Sequence, residues 1–102
     1  MTPLEQLVAA RELLSNKARW TQGWFAHDEG MHQVIPLAAD AVCWCAYGAL
    51  MKVDNTGRGD LFLDRAAEEL SGFNVAYVND RLGYEATMQM FARAVELAEA
   101  EG

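Results

Sequence analysis

Apolar residues near the N-terminus recur at the spacing of an α-helix. Thr2, Pro3 and Glu5 combine a hydroxyl N-cap, a proline at the first helical position and a glutamate that completes a capping box. Lys17 and Arg19 place positive charge where the helix dipole is negative. The pattern predicts a helix over residues 3–18, and its apolar positions are Leu4, Leu7, Val8 and Leu14.

Two further stretches in the second half of the chain show helical periodicity. One helix is predicted between Asp60, as its cap, and Ser71-Gly72, as its end. Its shared apolar face comprises Leu63, Ala66, Ala67 and Leu70. The last helix is predicted over residues 84–98, and its apolar stripe comprises Tyr84, Met88, Phe91, Val95 and Ala98.

The stretch from residue 38 to residue 53 carries hardly any charge after Asp40. This composition is typical of a buried helix and predicts a central helix over residues 38–53. A glycine inside a helix is costly, so we expect Gly48 to mark a place where a neighbouring backbone packs closely. The small residues at helical spacing are Ala41, Cys45, Gly48 and Ala49.

Two short segments have features of β-structure. In residues 21–34, the turn-forming residues Asp28, Glu29 and Gly30 separate two short stretches, which predicts a small β-hairpin. Residues 75–78 fit either a short strand or an irregular buried segment. The predicted fold class is mainly α with a small β-hairpin (α+β). We expect a single domain over residues 1–102, in which a compact bundle of about four helices surrounds a buried central helix.

Composition narrows the classes of partner. Eight Lys and Arg stand against fifteen Asp and Glu among 102 residues, a net charge of -7. Duplex nucleic acid and anionic membranes are bound through clustered basic side chains, so we expect neither as a partner. The N-terminus lacks the pattern of a secretory signal, and the longest uncharged apolar run, residues 41–51, is about half a membrane span. We therefore expect a cytoplasmic location.

Cysteine and histidine pairs raise the question of a metal or redox site. Cys43 and Cys45 would diverge on a helix, so buried apolar thiols are favoured over a zinc or disulfide pair. His27 and His32 could face each other across the predicted turn, but the pattern offers no convergent third ligand. No nucleophile and base stand in a recognisable arrangement, which does not favour catalysis. We expect no metal, no cofactor and no catalytic residue.

Two regions are candidates for binding. Asn79 and Asp80 precede the last helix, where either a structural cap or a polar site fits these residue types. Aromatic residues crowd the segment before residue 26, and either core packing or an exposed surface explains them. The candidate interaction surface consists of Trp20, Trp24, Phe25, His27, His32, Tyr77, Asn79 and Asp80.

Residues 44–50, Trp-Cys-Ala-Tyr-Gly-Ala-Leu, and the later pair Asn79-Asp80 resemble a family of short uncharacterised bacterial and phage proteins. Its members share a tryptophan-cysteine-alanine helix ending in glycine-alanine-leucine, and a tryptophan-asparagine-aspartate motif ahead of the last helix. This chain has Val78 where that tryptophan would stand. The family is a domain of unknown function, so the resemblance implies a shared fold and no particular activity.

Taken together, these features favour a small non-catalytic binding or regulatory protein that acts through protein–protein contact, with a partner or with itself. The alternative is a protein that binds a small molecule, such as a nucleotide or other metabolite, in a cleft between the hairpin and the central helix. A concave apolar pocket at that place would favour the alternative.

Overall fold

A computed structural model describes residues 1–101 of the chain. The described chain is mainly helical with one small antiparallel sheet, which confirms the predicted α+β class. Its elements are α1 (Pro3–Leu14), β1 (Ala26–His27), β2 (Cys43–Trp44), α2 (Ala46–Val53), α3 (Asp60–Ser71), α4 (Val75–Tyr77) and α5 (Tyr84–Glu101). A 3-10 turn at Lys17–Arg19 follows α1, and a π-helical turn at Val78–Leu82 continues α4. No helix within residues 1–101 is long and apolar enough to cross a membrane.

Helix α1 starts as predicted and ends earlier than predicted. The Glu5 N–H donates to the Thr2 hydroxyl at 3.1 Å and the Thr2 N–H donates to the Glu5 carboxylate at 2.8 Å, so the capping box is confirmed. The predicted end at residue 18 is wrong, because the helix ends at Leu14. The Asn16 side chain accepts a hydrogen bond from the Ala18 N–H and opens a separate 3-10 turn. Asparagine side chains compete with helical backbone bonds in this way.

The predicted hairpin over residues 21–34 forms only in part. His27 and Gln33 make an isolated antiparallel bridge across the turn. The strand partner of β1 lies farther along the chain, however, since Ala26 stands opposite Trp44 and His27 opposite Cys43. Pairing between segments this far apart depends on the fold around them, which the local turn residues do not reveal.

Helix α2 begins at Ala46, so the prediction of a helix is wrong for residues 38–45. Those residues instead pair with the chain around β1, where the Val42 and Cys45 N–H groups donate to carbonyls of residues 27 and 25. The Trp44 indole N–H donates to the Pro36 carbonyl at 2.9 Å. These tertiary hydrogen bonds outweigh the weak helical preference of an uncharged sequence.

The predicted close approach at Gly48 is confirmed. A Cβ atom at this position would lie 1.9 Å from the carbonyl oxygen of Phe25, far inside contact distance. The Cys45 Sγ accepts a hydrogen bond from the Gly48 N–H at 3.4 Å and caps the helix. Gly48 therefore brings α2 against the segment that carries Trp24 and Phe25.

The core lies between α1, α3 and α5, with α2 packed on α1. The largest fully buried side chains come from all three helices and include Leu7, Leu14, Leu63, Met90 and Phe91. The predicted apolar face of α3 is confirmed at Leu63 and the two alanines that follow it. Leu70, which was expected on the same face, is 46% exposed at the last turn of α3.

The segment after α3 is helical, so both interpretations of residues 75–78, as strand or as irregular chain, are wrong. Gly72 ends α3 in the left-handed conformation that glycine favours, with φ 76°. The Asn74 side chain then accepts a hydrogen bond from the Tyr77 N–H at 2.8 Å and opens α4. The wider π turn that follows ends at Gly83, with φ 95°. This turn carries Asn79 and Asp80.

Candidate functional site

The candidate site is a cavity of about 340 Å³ at the meeting point of three segments. Residues 23–25 lead into β1, and residues 45–47 open α2. Helix α4 contributes Val75 and Ala76, and the π turn after it contributes Asn79 and Asp80; we call these two elements together the α4 segment. We call this cavity the Trp24 groove. It is mainly apolar, and its volume is at the lower end of the range of small-ligand pockets, so it fits one bulky side chain or a small molecule.

Asn79 holds the three segments of the groove together. It is only 2% exposed, and its side chain makes four hydrogen bonds. The amide oxygen accepts from the Trp20 indole N–H at 2.9 Å and from the Ala46 N–H at 3.0 Å. The amide nitrogen donates to the Thr21 carbonyl at 3.0 Å and to the Asp80 carboxylate at 2.9 Å. Every donor and acceptor of the side chain is therefore satisfied.

Asp80 is held in a fixed orientation at the edge of the groove. Its Oδ1 accepts hydrogen bonds from the Asn79 side chain and, at 3.1 Å, from the Gly23 N–H. The Gln22 side chain donates to the carbonyls of residues 79 and 80 at 3.1 and 3.2 Å, which ties the same two segments together again. Among the described residues, Oδ2 has no hydrogen-bond partner. Asp80 thus presents one free carboxylate oxygen beside an apolar cavity.

Exposed aromatic side chains continue the groove outward. Trp24 is 43% exposed and packs edge to face on Phe25, with ring centroids 5.4 Å apart. On the α4 side, Phe73 and Tyr77 pack with centroids 4.5 Å apart beside a second depression of about 270 Å³. Ala76 and Asp80 line both concavities. We call these four aromatic side chains the aromatic rim.

Two ionisable groups that line the groove, Cys45 and Tyr47, have pKa values raised further above neutral pH. Burial raises the pKa of the Cys45 thiol, and the nearby Asp80 carboxylate raises it further, so the thiol stays protonated. Burial and the hydrogen bond to Asp64 raise the pKa of the Tyr47 phenol. Neither group therefore has a pKa near neutral pH, as an efficient general acid or base would.

The structure separates the eight residues predicted as an interaction surface. Trp24, Phe25, Asn79 and Asp80 line the Trp24 groove, and Tyr77 lies on the aromatic rim. Trp20 is half-buried behind the groove, where its ring packs on Tyr84 with centroids 5.5 Å apart. Trp20 and Asn79 therefore support the groove from inside.

The two histidines do not converge. His27 is buried, and its Nδ1 lies 2.8 Å from the Thr21 hydroxyl. His32 is exposed and its ring contacts the Asp28 carboxylate at 3.1 Å. Neither histidine lines the groove. Within residues 1–101 no three His, Cys, Asp or Glu side chains come together as a metal site.

Six residues that line the groove are absent from the sequence-based set, namely Gly23, Cys45, Ala46, Tyr47, Val75 and Ala76. Gly23 donates its N–H to Asp80, and its φ of 86° suits glycine. The cap signal of Asn74 could have indicated α4 and hence the position of Ala76. No local signal places Cys45 and Tyr47 beside the α4 segment.

Two other surfaces of the described chain are concave or expose apolar side chains. Phe25 and Tyr47 also line a separate cavity of about 410 Å³ beside Gln6, which is distinct from the Trp24 groove and from the depression under Phe73 and Tyr77. Gln6 is buried, and its side chain bonds to the carbonyls of residues 50 and 54 and to the N–H of residue 59. Asp60 lines the same cavity, and its buried Oδ1 has no hydrogen-bond partner among the described residues. The loop between β1 and β2 exposes apolar side chains such as Ile35 and Leu37.

Comparison with known proteins gives a family and no activity. No curated protein and no solved structure matches the chain. A family model does match, and it covers nearly the whole chain, including every residue of the Trp24 groove. The chain therefore belongs to DUF6197, a family of unknown function, whose model matches residues 1–97.

Proposed function

We propose that the protein is a small non-catalytic binding protein that holds a bulky apolar side chain of a protein partner in the Trp24 groove. The observation that carries this proposal is the continuity of the apolar cavity with exposed aromatic side chains on two sides. A cavity of about 340 Å³ accommodates one anchoring side chain. The rim then offers Trp24 on one side and Tyr77 on the other, residue types that dominate binding energy in protein interfaces.

The rigidity of the groove supports a binding role. Asn79 fixes all three lining segments relative to one another through hydrogen bonds of 2.9 to 3.0 Å. A preformed site loses little conformational freedom when a partner binds, so more of the contact energy appears as affinity. The raised pKa of the Cys45 thiol also fits a binding surface better than a catalytic centre.

The cavity volume also supports a second candidate, a small apolar metabolite bound in the same groove. The two candidates differ in what lies outside the cavity. A partner protein also covers the aromatic rim, whereas a metabolite of this size leaves Phe73 and Tyr77 exposed. The width of the exposed aromatic surface therefore favours the protein partner.

Selection from a library of random peptides tests the proposal. The immobilised chain is the bait, and an Ala76→Trp variant is used for counter-selection. Ala76 is exposed and lines the groove, so a tryptophan there fills the groove without entering the core. Ala92→Trp is the matched control, because Ala92 is exposed on α5 and lines none of the concavities described above.

We expect enriched peptides to share a bulky apolar residue and to bind the natural chain and Ala92→Trp equally. They should lose most of their affinity for Ala76→Trp. Peptides that bind Ala76→Trp as tightly as the natural chain would contradict the proposal. A metabolite that raises the melting temperature of the natural chain and not of Ala76→Trp, with no peptide enriched, would establish the second candidate instead.

A further inference from the structure

We infer that the segment held by the Trp24 groove is cationic, with a lysine or arginine next to the bulky apolar residue. This inference rests on the proposed function and names the chemistry of the partner. It follows from the position, orientation and unused oxygen of the Asp80 carboxylate at the edge of the groove.

Asp80 is the charged residue among those that line the Trp24 groove. Its Oδ1 is occupied by the Gly23 N–H and the Asn79 side chain, at 3.1 and 2.9 Å. These two bonds fix the plane of the carboxylate, and Oδ2 makes no hydrogen bond with residues 1–101. Because the carboxylate is already oriented, a cationic donor that reaches Oδ2 does not have to order it.

The two concavities place this charge between apolar surfaces. Ala76 and Asp80 line both the groove and the neighbouring depression under Phe73 and Tyr77. A segment that seats an apolar side chain in the groove therefore brings its next residues past Asp80. A long basic side chain suits that path, because its alkyl stem packs on aromatic surface while its charged end reaches the carboxylate.

The charges around the groove favour a cation over an anion. The Tyr47 hydroxyl donates a hydrogen bond to Asp64, and Asp60 lines the adjoining cavity together with Tyr47, so negative charge lies near the groove on the α2 side as well. Arg81 lines the depression under Phe73 and Tyr77 and not the groove, and the ion pairs among the described residues do not include it. The chain as a whole carries a net charge of -7, which attracts basic partners from a distance.

Four blocked dipeptides test the inference by titration into the ¹⁵N-labelled chain, with the amide signals of Gly23, Tyr47 and Ala76 as reporters. They are acetyl-Phe-Arg-amide, acetyl-Phe-citrulline-amide, acetyl-Phe-Glu-amide and acetyl-Ala-Arg-amide. Citrulline has nearly the shape of arginine but ends in a neutral ureido group, so the first two peptides differ only at the charged end of one side chain. The same titrations use Asp80→Asn, which keeps an oxygen for the Gly23 N–H, and Ala76→Trp.

We expect the arginine peptide to bind about two- to fivefold more tightly than the citrulline peptide, the range for an ion pair at an exposed site. Asp80→Asn should abolish that difference, because the arginine peptide then loses its charged partner. Added salt should also reduce the difference.

Equal binding of the arginine and citrulline peptides to the natural chain would overturn the cationic inference and leave the groove function standing, provided that Ala76→Trp weakens both. A preference for the glutamate peptide would overturn the inference in the same way. If no phenylalanine peptide shifts the groove signals at millimolar concentration, both the inference and the proposed function fail.

Discussion

Replacing Asn79 by alanine should destabilise the fold more than any other asparagine substitution in the described chain. The substitution removes four hydrogen bonds at once. The Trp20 indole is half-buried and can turn to water, and Asp80 is exposed. The Ala46 N–H and the Thr21 carbonyl belong to buried residues, so they lose their partners without replacement.

The expected magnitude follows from those two buried backbone groups. An unsatisfied buried donor or acceptor costs roughly 1 to 3 kcal/mol, so the variant should lose about 4 kcal/mol of unfolding free energy. A domain of this size has only about 5 to 15 kcal/mol in total. The loss therefore represents a large part of the stability.

Two further asparagines serve as matched controls. The Asn74 side chain makes a single exposed cap bond to the Tyr77 N–H, so Asn74→Ala should cost about 1 kcal/mol. The Asn55 side chain is exposed and makes no hydrogen bond with the described residues, so Asn55→Ala should be near neutral. Urea denaturation followed by far-ultraviolet circular dichroism is the suitable assay, because tryptophan fluorescence would also report the altered surroundings of Trp20. An Asn79→Ala variant that loses no more stability than Asn74→Ala would refute the reasoning.

Three other outcomes are expected. Gly48→Ala should cost about 3 kcal/mol by urea denaturation, because the added Cβ would lie 1.9 Å from the Phe25 carbonyl, and a neutral effect would refute the close approach. The Cys45 thiol should react with iodoacetamide roughly tenfold more slowly than N-acetylcysteine at neutral pH, because burial raises its pKa, and equal rates would contradict that burial. Stability should be full above about pH 4, the ordinary carboxyl range, and should fall as the pH drops through the lower folded-state pKa values of several hydrogen-bonded carboxyl groups. Those groups are Glu5, Asp28, Asp54 and Glu69. The Arg93 side chain lowers the pKa of Glu69, so Glu69→Gln should show a shallower acid profile, and an unchanged urea midpoint down to about pH 2 would argue against all four assignments.

Local signals were sufficient for two of the helix ends. They were wrong at the start of α3, where Asp60, predicted as the cap, is the first helical residue and Gly59 holds the cap position without a side-chain hydrogen bond. Thr2 and Glu5 cap α1 as expected, and Gly72 ends α3 in the left-handed conformation. These features depend on residues within four positions of each other, so they can be predicted from the sequence. The segment of residues 38–45 shows the opposite case. It lacks charge, as a buried helix does, but its hydrogen-bond partners lie around residue 26 and decide its structure.

The sequence showed individual residues of the candidate site but not how they come together. The aromatic stretch at Trp24 and the pair Asn79-Asp80 could be singled out by residue type. The sequence offered two roles for Asn79, a structural cap or a polar site, but in the structure its side chain joins two distant segments by bonding to Trp20 and Thr21 in one and to Ala46 in the other. Such a set of bonds arises from tertiary packing and leaves no periodic pattern. The contribution of residues 45–47 could not be predicted for the same reason.

The occupancy of the Trp24 groove can be tested most directly by isotope-filtered NOE measurements on the labelled chain bound to a library-selected peptide. The account predicts contacts from the apolar side chain of the peptide to the Ala76 methyl group and the Trp24 ring. Contacts confined to Ile35 and Leu37, on the exposed loop between β1 and β2, would contradict it.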